Sequence, residues 1–155
     1  MAGPRVRIAI RDLSKTFAQG SREVAAVDRV SFDVCDKEFV AVVGPSGCGK
    51  STLLNIIGLL DEPSGGRYAL HGRDVTTMSD LERSTVRRDA IGFVFQSFHL
   101  LNRMSALENV CLPMLYAGAD RPAARERAAA LLKKVGLHGK EKKTPLELSG
   151  GERQR

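Results

Sequence analysis

Tryptophan is absent from this chain of 155 residues, and its only aromatics are six Phe and two Tyr. So few rings exclude an aromatic-rich β-sandwich and a surface built to stack on bases. Cysteine is also scarce: Cys35, Cys48 and Cys111 stand far apart, with no Cys-x-x-Cys pair. An odd, unclustered count argues against a disulfide framework and a zinc site, and for the reduced thiols of a cytosolic setting. Long apolar runs are missing too. Phe39–Val43 and Asn55–Leu60 are about a third of the roughly 20 residues needed to cross a bilayer. The opening Met1-Ala-Gly-Pro-Arg-Val-Arg7 lacks the apolar region of a secretory signal. Apolar residues at 43% and charged residues at 27% exclude wholesale disorder. The net charge of +6 is unevenly placed. Residues 1–120 carry 14 basic and 14 acidic side chains, and residues 121–155 carry 10 and 4, so the excess lies at one end. A domain that grips a polyanion spreads such charge over a face, so nucleic acid is not an expected partner.

What is present divides into a β-rich part and a helical part, with the division expected after Gln96: residues 1–96, then 97–155. Arg5–Arg11 and Val30–Val34 alternate with period two, as half-buried strands do. Phe39-Val-Ala-Val-Val43 is a continuous β-branched run and reads as a fully buried central strand; Ile91-Gly-Phe-Val-Phe95 reads as another. Arg67–His71 is a short strand between glycines, and Lys50–Leu60 reads as a helix. Ser79-Asp-Leu-Glu82 and Ser105-Ala-Leu-Glu108 have capping-box spacing. Arg121–Val135 predicts a helix with Ala128, Leu131, Leu132 and Val135 on one face, stopped by Gly136. Lys133, Lys134, Lys140, Lys142 and Lys143 read as a solvated face and loop.

The motif that carries chemistry is Gly44-Pro45-Ser46-Gly47-Cys48-Gly49-Lys50-Ser51, which fits GxxxxGK[ST] between an expected strand and an expected helix. Glycines let a loop turn its backbone N–H groups toward phosphate oxygens with no Cβ in the way, and the following helix offers its positive end to the same anion. Lys50 is a mobile charge for the β- and γ-phosphates. Ser51 offers a hydroxyl to Mg²⁺, and Thr52 offers one near the α-phosphate. Cys48 reads as a tolerated small residue of the loop.

The element that chooses among phosphate-loop proteins is Leu148-Ser149-Gly150-Gly151-Glu152. Here the sequence resembles the nucleotide-binding subunits of ABC transporters, whose signature is LSGGQ or LSGGE. Ile91–Leu101 and Ala106–Pro113 resemble the lipoprotein-release and macrolide-export branch. The resemblance implies an α/β P-loop NTPase fold of the ABC ATPase type, with ATP and Mg²⁺ as cofactors. It implies that Phe17 stacks on adenine, that Gln96 contacts Mg²⁺ or the attacking water, and that Lys50 and Gln96 serve catalysis. It also implies a head-to-tail homodimer, in which Ser149, Gly150, Gly151 and Glu152 meet the nucleotide held by the other copy. A membrane permease is the implied partner, with the ATPase on the inner face of the membrane.

The family's next elements follow the signature: a strand ending in Asp, the adjacent catalytic Glu, and a switch histidine. His71, His99 and His138 all precede the signature. The expectation is therefore a cassette incomplete at its C-terminus and inactive alone, whose missing strand would pair with Phe39–Val43. The alternatives are a non-hydrolysing nucleotide-binding fragment and an ABC ATPase that acts on nucleic acid.

Overall fold

A computed structural model describes residues 5–20 and 22–155. The β-rich part is built on a hairpin of two 14-residue strands, β1 (Val6–Gln19) and β2 (Arg22–Cys35). The period-two segments of the sequence are the outer halves of these longer strands. β3 (Gly65–Leu70) and β4 (Arg73–Asp74) complete an antiparallel sheet of order β2-β1-β3-β4. Ile10 stands opposite Phe32 on one side and Tyr68 on the other. Beyond Ile10 the register of β1 shifts against both neighbours, at Asp12, whose φ is 48°. Side chains satisfy the backbone at this irregularity: Ser31 Oγ accepts the Asp12 N–H at 2.8 Å, and Ser14 Oγ accepts the Arg29 N–H at 3.0 Å.

The sheet covers helix α1 (Lys50–Ile57), and Ile10, Leu13, Val27, Leu53, Ile56, Leu59, Tyr68, Leu70 and Val75 form one buried cluster. Tyr68 is 1% exposed, and its hydroxyl donates to the Ile57 carbonyl at 2.9 Å. Burial pushes its phenol well above the usual range. Helix α2 (Asp80–Ala90) starts at the expected Ser79–Glu82 capping box.

The chain divides into two compact units, one ending at Phe93 and one running from Val94 to Arg155, so Gln96 belongs to the second. That unit holds α3 (Ala106–Tyr116), α4 (Arg121–Lys134), a 3₁₀ turn (Pro145–Glu147) and α5 (Gly150–Gln154). Ala106, Leu132, Leu137 and Leu148 form its core cluster. Among the described residues no helix is long and apolar enough to cross a membrane.

Two expected strands are not strands. Phe39–Val43 and Ile91–Phe95 lie outside the sheet, with Phe39, Val43 and Val94 at 92%, 85% and 91% exposure. Their apolar, β-branched composition marks a capacity to pair, but a strand exists only where a neighbour takes up its backbone groups, and no described strand lies beside them. The buried face of α4 also differs from the expected one. Ala124, Ala128 and Leu132 are buried at i, i+4 and i+8, whereas Leu131 and Val135 are each 39% exposed. Alanines let α4 pack closely, so the small residues rather than the larger neighbours mark the inner stripe.

Candidate functional site

The phosphate loop leads into a helix end that no described side chain closes. Gly49 is the N-cap of α1 with φ of 89°; no side chain caps the helix, and no acid stands in its first turn. By contrast α2, α3 and α5 each close their N-terminus with a Ser–Glu capping box; α4 also lacks a side-chain cap, but its N-cap is Asp120 and a proline stands in its first turn. The N–H groups and positive dipole end of α1 are therefore open to an outside anion. Glycine is required at the hinge of this loop. A Cβ on Gly49 would lie 1.9 Å from the Ala26 carbonyl oxygen of β2, and Gly47, at φ 81°, is also left-handed. Lys50 folds back over the loop: its Nζ donates to the carbonyls of Gly44 at 2.9 Å and Pro45 at 2.6 Å, and lies 3.7 Å from Cys48 Sγ. Among the described residues it has no carboxylate partner, so phosphate oxygens can replace neutral carbonyls without breaking an ion pair. Ser46, Cys48 and Ser51 are exposed, and Thr52 is half-buried.

Phe17 lies on β1 at 45% exposure, with Lys15 Nζ 5.0 Å from its ring centroid. Lys15 itself bonds to Asp61 Oδ1 at 2.7 Å and to the Glu62 carbonyl at 2.6 Å. A cleft of about 740 Å³ in this unit is lined by Lys15, Asp61, Glu62, Asp80, Arg83 and Arg87. It is no rival anion site, because Arg83 is paired with both Glu62 and Asp80.

In the second unit, Ser149 caps α5. Its Oγ accepts the Glu152 N–H at 3.3 Å, and its own N–H donates to Glu152 Oε2 at 2.8 Å. Lys140 also pairs with Glu152. That ammonium, followed by the Ser149 N–H, holds the carboxyl down at about 2. Gln96 is exposed. Beside it, the Phe95 carbonyl accepts a bond from Gln154 Nε2 at 3.3 Å, and the Arg153 guanidinium lies 4.9 Å from the Phe98 ring centroid. Helix α5 thus lies against the segment that carries Gln96.

A family profile described as ABC transporter matches residues 27–155, a span that contains both the phosphate loop and the Leu148–Glu152 segment. The chain belongs to the ABC transporter family. Over 152 residues it is 45% identical to the macrolide export ATP-binding/permease protein MacB of Marinobacter nauticus, covering 98% of this chain and 24% of that protein. MacB of Brucella abortus is 46% identical over 155 residues, covering 100% and 24%; MacB of Escherichia coli is 43% identical over 148, covering 96% and 23%. The chain thus spans about a quarter of the length of these relatives. Among solved structures, the dimeric post-hydrolysis state of the ATP-binding cassette MJ0796 bound to ADP and Pi superposes with a TM-score of 0.86 at 37% identity, covering 94% of this chain and 65% of that one. The fold is that of an ABC ATP-binding cassette.

Within this ABC transporter chain the expected site residues fall into two groups. Phe17 and Gly44–Thr52 belong to the unit ending at Phe93; Gln96 and Ser149–Glu152 belong to the unit starting at Val94. Three features escaped the sequence reading: the Ala26 carbonyl that forces glycine at 49, the Lys140–Glu152 pair, and the stacking of Arg153 on Phe98. Each joins residues with no fixed spacing in the chain. The missing first-turn acid of α1 was legible and went unread. Two of the lysines expected as a solvated face have partners, because Lys140 meets Glu152 and Lys143 Nζ lies 3.2 Å from Glu147 Oε1.

Proposed function

We propose that this chain binds Mg·ATP through Gly44–Thr52 and, in its full-length form, couples ATP hydrolysis to export or extraction of a substrate through a membrane permease. The observation that carries the reading is the uncapped, acid-free start of α1 beneath Gly47 and Gly49, with the Lys50 ammonium donating to neutral acceptors, the Gly44 and Pro45 carbonyls and Cys48 Sγ. These residues fit a polyphosphate: the α1 N–H groups hold its oxygens, Lys50 exchanges carbonyls for them, and Thr52 adds a hydroxyl. Ser51 and Gln96 are the residues that would hold Mg²⁺, which when bound neutralises charge on the transferring phosphoryl group. Phe17, with 45% of its surface open, would take the adenine face. Ser149, Gly150, Gly151 and Glu152 would meet the nucleotide of a second copy in a head-to-tail dimer.

The names of the relatives, which are export ATP-binding/permease proteins, support transport over action on nucleic acid. They also support a permease as partner, and such a partner would hold the cassette on the inner face of the membrane. Hydrolysis is assigned to the full-length form. In that form, Lys50→Ala is expected to lower ATP turnover by at least about 100-fold, the scale of losing a charge aimed at the transition state. Turnover equal to the parent protein would overturn the reading.

A further inference from the structure

The far end of β1 reverses the usual placement of a charged and an aromatic side chain. The Lys15 side chain is 13% exposed, whereas Phe17, two positions on, is 45% exposed. Ordinary burial favours the opposite: a ring leaves water readily, and an ammonium does so only when it is paired. Lys15 is paired within its own unit. Its Nζ donates to Asp61 Oδ1 at 2.7 Å and to the Glu62 carbonyl at 2.6 Å, and Asp61 Oδ1 also accepts the Glu62 N–H at 2.7 Å. The lysine bond draws the Asp61 carboxyl below its ordinary value. An ammonium has three N–H bonds, and among the described residues two of them meet an oxygen. The Phe17 ring centroid lies 5.0 Å from the same nitrogen, within cation–π reach.

The lysine is held from both sides. The segment that receives it leaves directly from the end of α1, where the Asn55 carbonyl accepts the N–H of Leu60 at 2.8 Å and of Asp61 at 3.3 Å. The same segment grips β1 around Lys15: the Ser64 N–H donates to the Ser14 carbonyl at 2.8 Å, and Ser64 Oγ accepts the Thr16 N–H at 3.1 Å. α1 therefore carries the phosphate loop at its start and the anchor of Lys15 at its end.

We propose that Lys15 is a positioning residue for the nucleotide base: its ammonium, fixed by Asp61 and the Glu62 carbonyl, holds the Phe17 ring from one side so that the base stacks on the part left open. This role rests on the reading of Phe17 as the adenine platform. The cation acts twice. It pins a ring that the core does not enclose, which lowers the ordering cost of stacking, and it draws electron density from the face that meets an electron-rich base. The tie to α1 sets that ring in a fixed relation to the loop that holds the phosphates.

The test is the affinity of the full-length protein for ATP and for inorganic triphosphate, measured by isothermal titration on the parent, K15M, F17A, K15M/F17A and D61A. Triphosphate uses the loop and α1 but presents no base. K15M is expected to weaken ATP about fivefold and to leave triphosphate within about 1.5-fold. F17A weakens ATP about tenfold, the scale of losing one stacked base. In that background K15M adds less than about 1.5-fold, because the lysine acts through the ring. D61A releases the ammonium from its anchor and weakens ATP about threefold with triphosphate unchanged, and it decides the matter where K15M does not fold. Unchanged ATP affinity in K15M and D61A, an equal loss for ATP and triphosphate, or the whole fivefold loss repeated on top of F17A would overturn the proposal. If F17A weakens ATP while K15M binds as the parent does, only the present proposal falls. If F17A itself binds ATP as the parent does, the adenine reading falls and takes this one with it.

Discussion

At the scale of single residues, the protein's chemistry depends on a few atoms that cannot be moved. Gly49 is the clearest: with φ of 89° and the Ala26 carbonyl 1.9 Å from where a Cβ would sit, an alanine forces β2 and the phosphate loop apart. Gly49→Ala is expected to weaken nucleotide binding by more than about tenfold, measured by fluorescent-nucleotide titration, because left-handed strain and a backbone clash add at one position. Tyr68 tests a different force. Its hydroxyl satisfies the Ile57 carbonyl in the buried cluster at 2.9 Å, so Tyr68→Phe should cost about 1 kcal/mol in urea unfolding, the net value of one such bond. Glu147 and Glu152 carry a pH dependence. Both carboxyls fall from an ordinary 4.5 to about 2, held by N–H groups and lysines that favour the charged form. Their contribution to stability is fully present above pH 4.5 and is lost as pH falls toward about 2. Amide-exchange protection over residues 144–154, corrected for intrinsic rates, is expected to fall across that window, and E147Q/E152Q should flatten the fall.

At the scale of elements, α2, α3 and α5 are closed by their own side chains, whereas α1 and α4 have no side-chain cap, and α1 alone of those two is entered through a glycine loop. Ser79 and Ser105 close α2 and α3, so Ser105→Ala should cost about 1 kcal/mol of folding stability, by thermal or chemical unfolding. α1 has no such bond to lose, and that vacancy at its first turn is what suits it to an anion. The α4 stripe of Ala124, Ala128 and Leu132 leaves no room for a longer side chain at its centre, where Ala128 is 0% exposed. Ala128→Leu is expected to destabilise the helical unit by about 1–3 kcal/mol through overpacking, and Ala130→Leu, on the exposed side, to change little.

At the scale of the whole molecule, the two units carry different parts of one proposed cycle, and each keeps its own core. The side chains of Phe39, Val43 and Val94 stand open to solvent, so the 155-residue chain alone is expected to bind an apolar dye, and the full-length protein to bind much less per molecule. Most of the candidate site was legible because a phosphate loop and a signature are local: a few consecutive residues set the loop's φ angles, the helix start and the cap. The helix starts at Lys50, Asp80 and Ala106 were legible for the same reason. Strand pairing was not, because the apolar runs at Phe39 and Ile91 encode a preference for a sheet and not the neighbour that completes it. Nor were Lys140 against Glu152 or Ala26 against Gly49, which lie 12 and 23 positions apart and meet only through the path of the folded chain. The sequence by itself determined the family, the phosphate loop and the capped helices, since those rest on near-neighbour geometry. The tertiary structure alone decided which apolar segments found a partner and which charges met, since those depend on contacts that no spacing along the chain prescribes.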